Sequence, residues 1–307
     1  MPLVCARFRH VARTGLHVAF HPRSRPPRPL ARSNAMQDIL VHVRDHEKRT
    51  PAARFAARLA ARLDAALTAV YVCPELVFAA PVRAPEVTAA MVGDMRQMMR
   101  AAVRARQGFL EWTSSLGVTR AEWLVAQGLA THALAQAATR HDLLVLDHPR
   151  DTRESPWDVP RLILGAAKPC IVVPSQGEPS GQFERIAIGW NGSPEAMRAV
   201  HAALPFLIGK NVLLLRGEED DRHQEVEWQP AFDIRAYLRR HDVKVRQRKV
   251  EARPADAGAV LLEEAGRFRA DLLVMGAYGR SRFSEWMLGG ATRHVLTQAA
   301  IPVLLRH

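Results

Sequence analysis

Short apolar runs alternate with segments of helical periodicity from about residue 37 to the C-terminus. In the second half of the chain, five strand-like runs predict strands, at 185–190, 211–216, 243–249, 271–275 and 301–305. The segments between them predict helices, at 194–207, 230–241, 256–269 and 291–299. The first half follows the same order with a longer second crossover, at about 85–116. Strands that alternate with helices predict βαβ units and a parallel sheet, and nearly continuous apolar strands predict helices on both of its faces.

The chain contains two copies of this plan. HDLLVLDHPR (141–150) matches ADLLVMGAYGR (270–280), so that Asp142 stands where Asp271 stands. AAKPCIVVP (166–174) is similar to QAAIPVLLR (298–306) in the same way. Between the halves, SQGEPSGQFE (175–184) has the composition of a linker. The sequence therefore predicts two domains, at 36–175 and 184–307.

A basic tail precedes the first predicted strand. Residues 1–35 hold seven arginines and no acidic residue, so they account for +7 of the net charge of +12. A disordered N-terminal extension is expected from this composition, with a transit-like or nucleic-acid-contacting arm as the alternative. The other 272 residues carry only +5. The distribution of charge therefore disfavours nucleic acid as the main partner.

Composition indicates a cytoplasmic protein. No apolar run approaches the roughly 18 residues of a membrane span, so no membrane association is expected. The three cysteines, Cys5, Cys73 and Cys170, are an odd number without C-x-x-C spacing, which supports neither a disulfide framework nor a zinc site.

A glycine-rich segment near the C-terminus carries the strongest functional signal. It contains Gly276, Gly279, Gly289 and Gly290 and joins a predicted strand to a predicted helix. Such a loop presents bare backbone N–H groups and the positive end of a helix dipole, which suits a phosphate group. The alternative is a tight connection in which the glycines only supply positive φ angles.

The spacing of these glycines resembles the nucleotide loop of the universal stress protein family, G-x2-G-x9-G-[S/T]. Here Gly290 takes the place of the final Ser or Thr, and Thr292 offers a substitute hydroxyl two residues later. The resemblance extends over residues 37–307 as a tandem pair. It implies an α/β protein with two Rossmann-like domains of the adenine nucleotide alpha hydrolase type, each an open five-stranded parallel sheet flanked by helices. It also implies that the last strands of the two domains pair within the chain, and it leaves room for a homodimer.

The same resemblance implies the binding residues and the ligand. The ligand would be ATP or a related adenine nucleotide, accompanied by Mg²⁺. The family has Asp where this chain has Asn191, whose amide can still donate and accept hydrogen bonds. An equally weighted and compatible interpretation makes Asn191-Gly192-Ser193 a turn and helix cap. The residues expected at the nucleotide are Asn191, Gly192, Gly276, Gly279, Arg280, Gly289, Gly290, Ala291 and Thr292.

The first half departs from this motif. Asp147 and Arg150 stand where the second half has Gly276 and Gly279, and Arg44 stands at the position of Asn191. A carboxylate there would repel phosphate, so one site per chain is expected. A Gly276→Arg substitution is expected to abolish binding without unfolding the protein.

Catalytic signatures are missing from the sequence. It has no G-x-S-x-G elbow, no Walker A loop and no H-E-x-x-H pair. The favoured function is therefore a nucleotide-binding stress-response regulator or sensor, with weak ATPase activity at most. The alternatives are an interaction or scaffold protein of the same fold that binds no nucleotide and, less favoured, a slow nucleotide hydrolase.

Overall fold

The structure is a computed structural model of the 307-residue chain. It describes residues 36–73, 85–148, 158–217, 229–230, 232–253, 255–278 and 290–307. The basic tail 1–35, for which disorder is expected, lies outside the described residues.

Strands and helices alternate as the sequence predicts. The strands are β1 (Asp38–Val43), β2 (Ala66–Cys73), β3 (Ala121–Gln127), β4 (Leu143–Asp147), β5 (Cys170–Val173), β6 (Arg185–Trp190), β7 (Asn211–Arg216), β8 (Val245–Lys249), β9 (Leu272–Gly276) and β10 (Val303–Arg306). The helices are α1 (Pro51–Leu63), α2 (Pro85–Ser115), α3 (Ala130–Ala138), α4 (Asp158–Ala166), α5 (Pro194–Leu207), α6 (Ile234–Arg240), α7 (Ala257–Phe268) and α8 (Gly290–Gln298).

The strands form one sheet in the order β3-β2-β1-β4-β5-β10-β9-β6-β7-β8. All neighbours within each half are parallel, whereas β5 and β10 are antiparallel, with Leu304 opposite Ile171. The two parallel five-stranded sheets implied by the resemblance are therefore present. The last strands of the two halves join them into a single sheet.

Two apolar cores cover the faces of this sheet. One core lies beneath α1, α2, α5 and α6 and includes the fully buried Phe55 and Phe109. The other lies beneath α3, α4, α7 and α8 and includes Leu134 and Ile163. Alternate residues of the central strands contribute to opposite cores, as in a doubly wound fold.

Helix boundaries follow the capping residues. Ser193 caps α5, because its side-chain oxygen accepts from the backbone N–H of Ala196 at 3.1 Å and Pro194 follows at the first helical position. The predicted helix 230–241 is shorter in the structure. It starts at Ile234, because the carboxylate of Asp233 accepts from the backbone N–H of Arg235 at 2.9 Å and fixes the start there.

The segment between the halves packs against the fold. Glu178 pairs with Arg54 and Arg58 of α1 at 3.3 and 3.1 Å. Phe183 is buried, with its ring 6.1 Å from that of Phe55 and 5.5 Å from that of Phe206 on α5. Most of segment 175–184 is polar, as its linker-like composition indicates. Its buried Phe183 nevertheless anchors the segment between α1 of the first half and α5 of the second.

The repeated aspartates have a structural role. Asp142 accepts from the backbone N–H groups of Gln37 and Asp38 at 2.8 and 3.1 Å. Asp271 accepts from those of Glu184 and Arg185 at 2.6 and 3.1 Å. In each half a carboxylate before the fourth strand thus fixes the start of the first strand.

Candidate functional site

The predicted site residues lie where the strand order of the second half reverses. From β6 the chain runs outward to β7 and β8, and it then places β9 on the opposite side of β6. Asn191 and Gly192 follow the end of β6, and Gly276 ends the adjacent strand β9. The carboxyl edge at such a reversal is the usual ligand position in open α/β sheets.

The loop after β6 forms a turn and a helix cap. The side-chain oxygen of Asn191 accepts from the backbone N–H of Ser193 at 3.2 Å, and Gly192 has a φ of +77°. Both Asn191 and Gly192 are exposed. The turn therefore uses the side-chain oxygen of Asn191 and leaves its amide nitrogen at the surface. A role in the turn and a role in nucleotide binding are thus compatible for Asn191.

Gly276 lets the fold close around the site. A Cβ atom on Gly276 would lie 2.6 Å from the backbone nitrogen of Ala196 and 2.7 Å from the carbonyl carbon of Glu195. Real Cβ atoms do not approach backbone so closely, so any side chain at this position would displace the first turn of α5. Its φ is not among the positive values, so close approach rather than φ requires the glycine. The expectation that Gly276→Arg leaves the fold intact is wrong for this reason.

Gly290 has a different environment. It opens α8 and is exposed, and no described atom lies within 4 Å of the position that a Cβ would take, so a side chain there would meet none of the described residues. Ala291, the next residue, is half-buried, and its carbonyl oxygen faces Gly258 of α7, where a Cβ would come within 2.7 Å. Close packing on α7 thus fixes the first turn of α8, whose backbone N–H groups have no intrahelical acceptor.

Thr292 is 4% exposed. Burial favours a packing role for this side chain over the substitute hydroxyl that the sequence suggested. Gly279, Arg280 and Gly289 lie outside the described residues.

Two residues near Gly276, Tyr278 and Arg306, are not among the site residues that the sequence predicts. Tyr278 is buried with a φ of +51°, an unusual conformation for a bulky residue, and burial raises the pKa of its hydroxyl. Arg306 ends β10 opposite Gly276 in the strand register, and burial lowers the pKa of its guanidinium. Within the described part of the chain, the Tyr278 hydroxyl and one guanidinium nitrogen of Arg306 are buried without a hydrogen-bond partner. Sequence patterns gave no signal for either, because both depend on contacts made only in the folded sheet.

The equivalent edge of the first half is filled by its own side chains. Asp147 ends β4, is buried, and accepts from the backbone N–H of Ala52 in the first turn of α1 at 2.8 Å. Its carboxylate thus lies at the α1 N-terminus, whereas in the second half Gly276 contacts the α5 N-terminus directly. Arg44 follows β1 at the position of Asn191.

Three titratable side chains of the first-half edge, His42, Tyr71 and Cys73, are neutral near pH 7. Burial and the charge of Arg44 lower the pKa of His42 to about 4. Burial raises the pKa values of Tyr71 and Cys73. The ring of His46 packs edge-on to Tyr71 at 5.0 Å between centroids. These side chains occupy the carboxyl edge on β1, on β2 and in the loop after β1.

Neither a metal cluster nor a membrane-spanning helix is found among the described residues. They contain no cluster of three His, Cys, Asp or Glu side chains arranged to hold a metal ion. None of the described helices is both long and apolar enough to cross a membrane.

Cys170 is buried at the start of β5, and burial raises the pKa of its thiol to about 12.

The fold and its switch-point edge define a doubly wound α/β protein of the Rossmann-like class. A solved universal stress protein from Archaeoglobus fulgidus DSM 4304 has the same fold, with a TM-score of 0.60 at 12% identity over 87% of this chain and 95% of that chain. A functionally unknown protein from Pseudomonas aeruginosa PAO1 matches with a TM-score of 0.53 at 15% identity, over 89% of this chain and 93% of that chain. No curated protein matches the chain.

Residues 182–307 match the model of the universal stress protein family. The C-terminal half is therefore a universal stress protein domain. Because the solved structures span nearly the whole chain, the first half shares the fold, in the tandem arrangement that the repeat predicted.

Proposed function

We propose that the C-terminal half binds ATP or a related adenine nucleotide and that the protein acts as a stress-response regulator or sensor. The phosphate chain would lie at the N-terminus of α8, and the base and ribose would lie near Asn191 and Gly192. Gly279, Arg280 and Gly289 are included in the proposed site on the glycine spacing alone. One nucleotide per chain is proposed, since Asp147 fills the corresponding edge of the first half.

One observation carries the proposal. No described atom lies within 4 Å of the Gly290 Cβ position at the exposed start of α8, and the first backbone N–H groups of this helix, which have no intrahelical acceptor, stand at the positive end of the helix dipole. The Asn191 turn lies at the end of the strand next to β9, so both parts of the motif belong to one sheet edge. An anionic, elongated ligand suits this combination.

Slow or absent turnover is part of the proposal. The acidic residue beside Gly276 is Glu195, which is buried and paired with Arg198 at 2.7 Å. Arg198 engages this carboxylate, so Glu195 is not assigned as a general base. Mg²⁺ would accompany a triphosphate through the phosphate oxygens, and no side chain of this protein is assigned to it.

Substitutions at Gly290 test the proposal without disturbing the fold. Gly290→Asp places a negative charge at the start of α8, where it stabilises a helix but repels phosphate. Gly290→Ser restores the hydroxyl of the family motif in open space. Isothermal titration with ATP should show binding weakened at least about tenfold in the aspartate variant. In the serine variant binding should be strengthened about fivefold, which corresponds to about one additional hydrogen bond.

Gly266 provides the matched control. It is exposed on α7, has open space around its Cβ position, and lies in the turn that leads to the start of β9, at the opposite edge of the sheet. Gly266→Asp and Gly266→Ser should leave ATP binding unchanged. Equal affinity in all four variants would contradict the assignment of α8. Absence of binding in the wild type would favour the interaction or scaffold role.

A further inference from the structure

Within residues 36–307, basic side chains are concentrated at one edge of the sheet. Residues 36–307 contain 36 basic and 31 acidic residues, a net charge of +5. The segment 232–253, which holds α6 and β8, contains eight basic and three acidic residues, also a net charge of +5. The excess of basic over acidic residues in this short segment therefore equals the excess in the whole of 36–307.

β8 is the last strand of the sheet on this side. It pairs with β7 along one edge, and no strand covers its other edge in the part of the chain that the structure describes. An open edge presents unpaired backbone N–H and C=O groups in a row. At the opposite end of the sheet, no described strand covers the outer edge of β3 (AEWLVAQ) either, but β3 carries no basic residue. The charge thus belongs to β8 and is not a general property of sheet edges in this protein.

The cations at β8 form a row. Val243 and Val245 belong to the core beneath α6, so Arg246 and Arg248 of β8 lie on the opposite, α7 side, about 6.7 Å apart along the strand. Lys244 lies immediately before the strand, between these two valines. Arg248 pairs with Glu264 of α7. Lys244 and Arg246 are exposed and have no ion pair with any described residue.

We propose that the open edge of β8 binds an extended acidic peptide segment of a partner protein as an added strand. Such a strand supplies the missing backbone hydrogen bonds, and carboxylates at every second residue would face Lys244 and Arg246 at the spacing of the row. A second copy of β8 would bring like charges together, so self-pairing is disfavoured. Nucleic acid fits less well, because β8 (VRQRK) has no aromatic side chain for base stacking and a phosphate backbone cannot extend a sheet.

The test is fluorescence anisotropy of a labelled peptide of about ten residues that alternates Glu and Thr, titrated with the full-length protein at low salt. Saturable binding is expected, and it should weaken as salt is raised. The double variant Lys244→Glu/Arg246→Glu should weaken binding at least about tenfold. Arg100→Glu/Arg104→Glu is the matched control. It changes the net charge equally at exposed positions on α2 and should leave binding unchanged.

A second peptide separates strand addition from simple charge attraction. N-methylation of alternate residues removes backbone donors on one edge and retains every carboxylate, so it should abolish binding if the peptide adds to the sheet. Equal binding of the methylated peptide, or no saturation by about 1 mM protein, would overturn the proposal. So would an oligothymidylate of similar length that competes with the peptide and binds more tightly.

The acidic segment 218–228 of this chain has the same chemistry as the peptide and lies outside the described residues. Replacing its six acidic residues with serine distinguishes an internal occupant from a partner. Peptide binding by the wild type supports a partner. Binding seen only after this replacement would overturn the proposal in favour of pairing within the chain.

Discussion

At the residue scale, the two glycines of the motif that the structure describes have separate roles. Gly276 permits the backbone of α5 to touch the end of β9, while Gly290 faces open space. The sequence predicted both as members of one loop. It could not separate them, because the neighbour of Gly276 is a helix that begins some 80 residues earlier in the chain. The Ser193 cap was predictable, since its partner Ala196 lies three residues away.

Replacing Gly276 with alanine should destabilise the protein by about 1–3 kcal/mol, because the added methyl group overlaps the backbone of α5. Urea denaturation followed by circular dichroism measures this change. Gly266→Ala, on the exposed face of α7, should instead stabilise by up to about 1 kcal/mol. Similar stability of the two variants would show that α5 tolerates the displacement without cost.

His42 should make the fold sensitive to acid. Its pKa is about 4 in the folded protein and about 6.5 in an unfolded chain, so the unfolded state takes up the proton first as pH falls. The stability that neutral His42 contributes is present above pH 6.5 and is lost between pH 6.5 and 4, by about 1.4 kcal/mol per pH unit. Urea midpoints measured across this range should fall more steeply for the wild type than for His42→Leu. Parallel curves would contradict the assignment.

At the element scale, apolar periodicity predicted the position and type of most strands and helices. β6, α5 and β7 have the predicted bounds. The start of α6 was predicted four residues early, at residue 230. In the structure the side chain of Asp233 caps the helix, so that it begins at Ile234. The repeat of Asp142 and Asp271 was visible in the sequence, but its purpose was not. The carboxylates of Asp142 and Asp271 bind backbone groups that precede them by 105 and 87 residues, respectively.

Asp271→Ala should therefore loosen the start of β6. Loss of a carboxylate that accepts from two backbone N–H groups should cost about 1–2 kcal/mol, a value reduced by the partial exposure of the site. Asp142→Ala should have a similar effect on β1. Glu263→Ala, which removes only a surface pair with Arg267, should change the free energy of unfolding by less than about 0.5 kcal/mol. An Asp271 variant as stable as this control would contradict the role of the repeated aspartates.

At the scale of the whole molecule, the chain forms within itself a pairing of two similar halves. The antiparallel contact of β5 with β10 and the packing of Phe183 between α1 and α5 join them. The repeat and the family resemblance predicted the two sheets and their pairing. Tight packing of the intervening segment was not predicted, since its Gly, Pro and Ser content masks the single buried phenylalanine.

The halves differ at their carboxyl edges. In the first half Asp147 binds the N-terminus of α1, and neutral His42 stands nearby on β1. In the second half the same edge has glycines and the open start of α8. The central claim is that this asymmetry leaves one nucleotide site in the chain.

Calorimetric titration of the full-length protein with ATP, combined with mass spectrometry of small molecules released on denaturation, tests this claim most directly. We expect one adenine nucleotide per chain, with binding weakened in Gly290→Asp. Two nucleotides per chain would contradict the assignment of the first half as a structural partner. The absence of both binding heat and released nucleotide would contradict the nucleotide site itself.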